Sequence, residues 1–426
     1  MSRLVRLLSI KVLAAGAMFA TQILPAKCLS VQQFGTFSYL NSLVSVLVFV
    51  AIWGTDRYCV KEVSLAAESE NKTDIGKRIF ACYTLAFINL LFIGLGLWFY
   101  LTHQLENEFT LGIWGATFLI LLGRSYGLLN NGITRGRNEV VLSELVFALC
   151  RPVLFLIPLV FLYFLDEPTS PERLTFVLNM LGISFVAVAL VLTFINTSNP
   201  LTKLDFKFDS LPSLYFVSFF FLLVGLGIPL LNNMSTIQLG ELRPRQEVAL
   251  FSAAAKLVNL ILLALVSANL LIAPKLSPLY EANEIGKMTE LIRNNNLTVA
   301  LLTIFPTLIV IFFPQMVLSL FGEQYTPAAP LLQMLAIGQI VSVACGPVVL
   351  TATLVGMQRQ TAYTVLVLCG VNWLLCQLLI PVHGSIGAVI ASVFSGVALN
   401  ATMAFYIWNK TGLNVTMSNL MVANAR

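Results

Sequence analysis

About twelve times along this 426-residue chain an apolar run of some twenty residues is closed by a polar break. The runs fall at roughly 8–27, 36–56, 79–101, 109–131, 140–165 and 174–196, then at 212–234, 248–272, 297–317, 330–354, 361–381 and 385–408. About 20 apolar residues rising 1.5 Å each make a helix that crosses roughly 30 Å of hydrocarbon. In lipid a helix can satisfy all its own backbone groups, which an open strand cannot. An all-α integral membrane protein of about twelve transmembrane helices is therefore expected. Composition excludes the soluble alternative: 58% of the residues are hydrophobic and 11% charged, where soluble domains carry roughly 25% charge.

The polar residues exclude several chemistries. Seven cysteines (28, 59, 82, 150, 345, 369 and 376) form no CxxC pair, and His103 and His383 are the only histidines. Most of these cysteines fall in or at the ends of apolar runs, where cysteine acts as a small hydrophobe. No disulfide, metal or cofactor is expected. No Walker motif is present, so ATP is not expected to drive the protein directly. Basic residues before the first run resemble a signal peptide, but further runs follow at once, and an uncleaved first helix is the reading they favour.

The net charge of +5 takes its meaning from where the cations lie, and no nucleic-acid partner is implied. With the N-terminus and every second loop taken as one side, only Lys27, Arg173, Arg243 and Arg245 fall opposite, while Arg124, Arg151 and Lys256 lie inside spans. All other lysines and arginines, including Lys72, Lys203, Lys207 and Arg426, share the first side. The positive-inside rule makes that side, and both termini, cytoplasmic. The lipid bilayer is then the chain's immediate partner.

A charged segment from Thr197 to Leu211, with Lys203, Asp205, Lys207 and Asp209, divides the chain into two six-helix halves, 1–200 and 201–426. The halves echo one another: Phe37-Ser38 followed by Lys61 is matched, 214 positions on, by Phe251-Ser252 followed by Lys275. In both halves the second span runs into a long charged segment, 57–78 and 275–296. Internal repeats of this kind occur in transporters, with the binding site near mid-membrane.

Charge inside a span is costly, so each such residue asks for a partner or for water. Lys256 sits about eight residues inside the 248–272 run, with Ser252 and Asn259 on the same helix face. It either snorkels or pairs within the protein, or it faces a wet cavity and attracts an anion. Arg151 lies about eleven residues into its run, near the bilayer centre. Glu144 precedes it by seven residues on the same helix face. Arg124 and Glu144 have similar depths across the hairpin, so an Arg124–Glu144 pair holding the first half together is one expectation. Arg124 or Arg151 as a phosphate contact is the other, since the planar guanidinium matches phosphate oxygens. Arg57 follows Asp56 at a span end, either anchoring the chain at the interface or meeting a headgroup. Asn41, Asn89, Asn130, Asn131, Asn232, Asn233 and Asn372 lie in or near spans, as interhelical contacts or as hydrogen-bonding partners for hydroxyls.

The stretch Leu320-Phe321-Gly322-Glu323-Gln324-Tyr325, then Ala328-Ala329-Pro330-Leu331-Leu332, Gly346-Pro347, Gly356-Met357-Gln358-Arg359 and Gly384-Ser385-Ile386-Gly387-Ala388 resembles the C-terminal half of Wzx-type O-antigen and polysaccharide flippases. These belong to the multidrug/oligosaccharidyl-lipid/polysaccharide exporter superfamily. Gln33-Phe34-Gly35-Thr36-Phe37-Ser38 is similar to that family's second helix, and Val248 to Tyr280, with Ala273-Pro274-Lys275-Leu276, to its eighth. The resemblance implies two pseudo-symmetric, MATE-like six-helix lobes and no enzymatic activity. It implies a cargo of undecaprenyl-pyrophosphate-linked glycan, moved by alternating access through a cationic inter-lobe cavity, with a polysaccharide polymerase and a chain-length regulator as possible partners. Lys256, Arg151, Arg124 and Arg57 would then be the cavity cations, with Glu144 as a charge partner.

Two transporter alternatives stay open, and one enzyme class is disfavoured. An ion-coupled multidrug exporter of the same superfamily would want a carboxylate in its first helices, and Val12 to Leu24 contains none. A lipid II flippase commonly has two further helices. A glycosyltransferase or polymerase would need long outer loops, and the longest here is about a dozen residues, 235–247.

Overall fold

The structure, a computed structural model, describes residues 3–68, 75–105, 110–164, 170, 172–198, 211–282 and 284–417. Lys72, Arg426 and the central segment carrying Lys203, Asp205, Lys207 and Asp209 lie outside the described residues. The first helices are α1 (Arg3–Cys28), α2 (Val31–Ile52), α3 (Thr55–Glu68), α4 (Ile75–Leu105) and α5 (Leu111–Gly136). Next, α6 (Val140–Ser143) runs through a π-helical turn (Glu144–Cys150) into α7 (Arg151–Phe164). Then come α8 (Glu172–Thr197), α9 (Leu211–Leu242), α10 (Arg245–Glu281), α11 (Ile285–Phe312) and α12 (Pro314–Leu318). A 3₁₀ turn (Glu323–Ala328) leads to α13 (Ala329–Ala344), α14 (Val348–Leu354), α15 (Gln358–His383) and α16 (Ser385–Thr411).

Among the described residues ten helices are long and apolar enough to cross a membrane. α1 and α10, at 26 and 37 residues, have the length as well. Large apolar side chains such as Phe92, Phe161, Phe194 and Phe216 are more than half exposed. In water so much exposed apolar surface would aggregate; against lipid tails it is the expected exterior. The chain is an all-helical, multi-pass membrane protein.

Two compact units divide at Pro229/Leu230, within α9. In the first unit α5 is the centre, packing most extensively on α8 and also meeting α2, α3 and α4. Gly123 makes that packing possible. A Cβ there would lie 2.5 Å from the backbone nitrogen of Val186 and 2.8 Å from the carbonyl carbon of Phe185. Buried polar groups lock the same helices together, because an unmet one is costly in an apolar interior. Asn130 donates to Thr193 Oγ1 at 2.9 Å, Thr134 donates to Asn196 Oδ1 at 3.1 Å, and Asn196 donates back to the Asn130 carbonyl at 3.1 Å.

α2 shows how local sequence sets an element. Ser30 and Gln33 form a capping box at its start, with hydrogen bonds of 3.3 and 3.1 Å. At its end Trp53 and Gly54 turn left-handed, with φ of 51° and 75°. Gly54 also admits the backbone of Ser218 and Leu222 at distances no Cβ would allow. Beyond this break α3 continues the path to Glu68. Counted 214 positions on, Val31 corresponds to Arg245, where α10 begins, and Glu68 falls one residue past its end at Glu281. The repeat thus shows as an element broken in the first unit and continuous in the second.

In the second unit α10 is the spine, meeting α11, α13, α14 and α16. Glu247 in its first turn accepts the backbone N–H of Ser385 at 2.8 Å, capping the start of α16. A carboxylate there also faces the positive end of the helix dipole. Glu247→Ala is expected to lower stability by about 1 kcal/mol. Thermal unfolding in detergent checks this, and an unchanged midpoint would count against the cap.

Candidate functional site

Two of the three intramembrane cations meet in one place. The hairpin between α5 and α6 turns at Arg137–Glu139, with Asn138 at φ 62°. Arg124 lies fourteen positions before that asparagine and Arg151 thirteen after it. Counting 1.5 Å per residue therefore brings them to nearly equal depth. Both line a cavity of about 100 Å³ in the first unit, together with Thr21, Gln22 and Asn41. Both guanidiniums lie by the Phe185 ring: Cζ of Arg151 stands 4.8 Å from its centroid and Cζ of Arg124 5.6 Å. Arg151 also lies 5.4 Å from the Phe147 ring. Arg124 donates to Ser45 Oγ at 2.8 Å, and Ser45 in turn donates to the Asn41 carbonyl at 2.6 Å.

The expected Arg124–Glu144 pair does not form. Glu144 instead pairs with Arg135 at 3.0 Å. The apolar run ends near 131, but α5 runs on to Gly136. Arg124 is thus a full three turns from the hairpin end, and Arg135 occupies the level of Glu144. Nor does Glu144 stack beneath Arg151. The π turn between them takes more residues per revolution than an α turn, so positions seven apart lose their common face. Pro152 accounts for the π turn, because its ring crowds the carbonyl four residues back and it offers no N–H to the preceding turn. Among the described residues neither Arg124 nor Arg151 has a carboxylate at ion-pairing distance.

Aromatic faces give a guanidinium partial compensation only, worth about 0.5–2 kcal/mol per contact. Two like charges beside one ring in a low-dielectric setting still repel. An anion entering between them would relieve the repulsion and receive planar, multidentate donors. Gln22 and Asn41, whose side chains make no hydrogen bond among the described residues, can add amide donors. Chemically, such a lining has the donors to hold a phosphate-sized anion.

Arg57 is exposed at the start of α3, with its Nε beside Gly225, and does not line this cavity. Lys256 is half-buried on α10. Its neighbours Ala255, Val258 and Asn259 line a second cavity, of about 360 Å³, within the second unit; Lys256 is not among that cavity's lining residues. Six of the seven asparagines separate into two groups. Asn41 lines the first cavity and Asn232 the second. Asn89, Asn130, Asn131 and Asn372 are spent between helices: Asn372, for instance, donates to the Ala391 carbonyl and to Ser395 Oγ, both at 3.0 Å. Sequence reading missed Gln22, Phe185 and the other neutral lining residues, which carry no charge to mark them.

No family model and no curated protein matches the sequence. Several solved structures match the fold. An inward-facing multidrug resistance MATE family transporter of the MOP superfamily is 12% identical over 96% of this chain and 98% of that one, with a TM-score of 0.75. The lipid II flippase MurJ, in an inward closed conformation, is 14% identical over 98% of this chain and 90% of its own, with a TM-score of 0.69. The MATE multidrug transporter DinF-BH in complex with R6G is 14% identical over 96% of each chain, with a TM-score of 0.63. The structural neighbours are thus MOP-superfamily transporters, and the MATE-like fold is shared with them.

Proposed function

We propose that the protein is a flippase of the inner membrane, with both termini in the cytoplasm, that moves an undecaprenyl-pyrophosphate-linked glycan to the outer leaflet by alternating access. One observation carries the reading: a cavity in the first unit is lined by Arg124 and Arg151 and, among its lining residues, by no acid. A pyrophosphate brings the negative charge such a pair lacks, in oxygen geometry suited to guanidinium groups. A cationic drug would meet repulsion there, which weighs against the multidrug exporter.

The lipid II flippase remains the second reading, favoured by the likeness to MurJ over nearly the whole chain. Both readings share the pyrophosphate and differ in the glycan. Complementation separates them. The gene is expected to restore surface polysaccharide to a strain lacking its O-antigen flippase and to leave drug susceptibility unchanged. Rescue of a lipid II flippase-deficient strain in its place would favour the second reading, and drug resistance without polysaccharide would overturn both. Arg57→Ala, outside the cavity, is expected to keep affinity for undecaprenyl pyrophosphate within about threefold of the native protein, consistent with an exposed charge screened by solvent. A tenfold loss on titration of the lipid would bring Arg57 into the site.

A further inference from the structure

We propose that the cavity of the second unit is a subsite for the sugar residues of the cargo, a proposal that rests on the flippase reading above. The cavity measures about 360 Å³, within the range of small-molecule sites. Its lining comes from α9, α10, α13 and α16, with Gly346 between α13 and α14, and includes no charged residue. What it offers instead are Asn232, Thr236, Asn259, Gln339, Ser342 and Asn400, beside Ser392, whose hydroxyl donates to Ser235 Oγ at 2.8 Å.

Those first six side chains are unspent. Among the described residues none of the six makes a hydrogen bond through its side chain, and Gln339 Nε2 is fully buried without a partner. Elsewhere in the same unit the buried Asn372 is spent on bonds to Ala391 and Ser395. An amide offers two donors and two lone pairs, and a hydroxyl both donates and accepts. A ligand that matches such a set must also do both, repeatedly and without charge.

That requirement selects among ligand classes. A bound cation would want carboxylates, and an anion would want positive donors; the lining has neither. A purely apolar molecule would strand the amides out of water, an outcome polar sites reject strongly. A polyol satisfies them. Phe251, Val258 and Leu399 on the same walls give apolar surface against which the C–H faces of a sugar ring can lie.

The test uses the full-length protein in detergent, with affinities read by native mass spectrometry. The probes are undecaprenol, undecaprenyl pyrophosphate, and the latter carrying N-acetylglucosamine, galactose or a disaccharide. The native protein is expected to bind at least one sugar-bearing probe about tenfold tighter than undecaprenyl pyrophosphate. The near-isosteric variant Thr236→Val/Gln339→Met/Asn400→Leu is expected to lose that gain while keeping its affinity for undecaprenyl pyrophosphate, which also reports that it is folded. Gln339→Met alone serves if the triple variant cannot be purified, with part of the gain lost. A gain absent with every sugar, or intact in the variants, overturns the subsite. Equal binding of undecaprenol and undecaprenyl pyrophosphate is a different failure, since it removes the flippase reading itself and the subsite with it.

Discussion

Arg124→Gln and Arg151→Gln are each expected to weaken binding of undecaprenyl pyrophosphate about 10- to 100-fold, and together to abolish it. A charge-assisted hydrogen bond is worth about 1.5–3 kcal/mol, so losing the charge and one good bond accounts for that range. Both side chains line the same cavity and lie by the Phe185 ring. The single losses should therefore be non-additive, as they are for residues sharing a ligand. In cells the double variant should leave no surface polysaccharide while the protein stays in the membrane at native abundance. Arg→Lys at either position keeps the charge and loses the fork, so it should recover only part of the affinity. Native levels of polysaccharide in the double variant would remove the pair from the site.

Gly123→Leu is expected to have the largest structural effect, leaving little folded protein in the membrane. The atoms a Cβ would meet are backbone atoms of Val186 and Phe185 and the Phe185 Cβ fixed to that backbone, which cannot yield unless α8 moves as a whole. Gly123→Ala should already cost about 1–3 kcal/mol, the usual range for overpacking. The same displacement would shift Phe185 and with it the ring that both arginines lie against. Gly96→Ala is the control, since a Cβ there meets nothing within 4 Å. Thermal unfolding in detergent should separate the two alanine variants clearly. Equal midpoints would mean that close approach of α5 and α8 does not limit stability.

The spans were legible because lipid demands a long apolar helix, and composition alone reveals one. Breaks within them were less so. Trp53–Gly54 stands inside what reads as one continuous path into a charged segment, and the helical character of Thr55–Glu68 is masked by its polar residues. The repeat offset of 214, seen in a few residues, reappears in the bounds of α2–α3 and α10. In the site, Arg124 and Arg151 drew attention as charges in apolar runs. Their partners did not, because the pairing depends on where the hairpin turns and on a π turn that only Pro152 foreshadows. Glu144 was assigned to the wrong arginine for that reason. The neutral lining of the second cavity was hidden more deeply. An asparagine in a span looks the same whether it bridges helices, as Asn130 does, or faces open space, as Asn232 does.

Lipid and dye binding to the purified protein tests the central claim most directly. Undecaprenyl pyrophosphate, undecaprenol and the cationic dye rhodamine 6G are offered to the native protein and to the Arg124→Gln/Arg151→Gln variant. A cationic receptor in the first unit predicts retention of undecaprenyl pyrophosphate over undecaprenol by the native protein, loss of that preference in the variant, and no binding of the dye. Binding of the dye by the native protein with no preference for the phosphorylated lipid would contradict it.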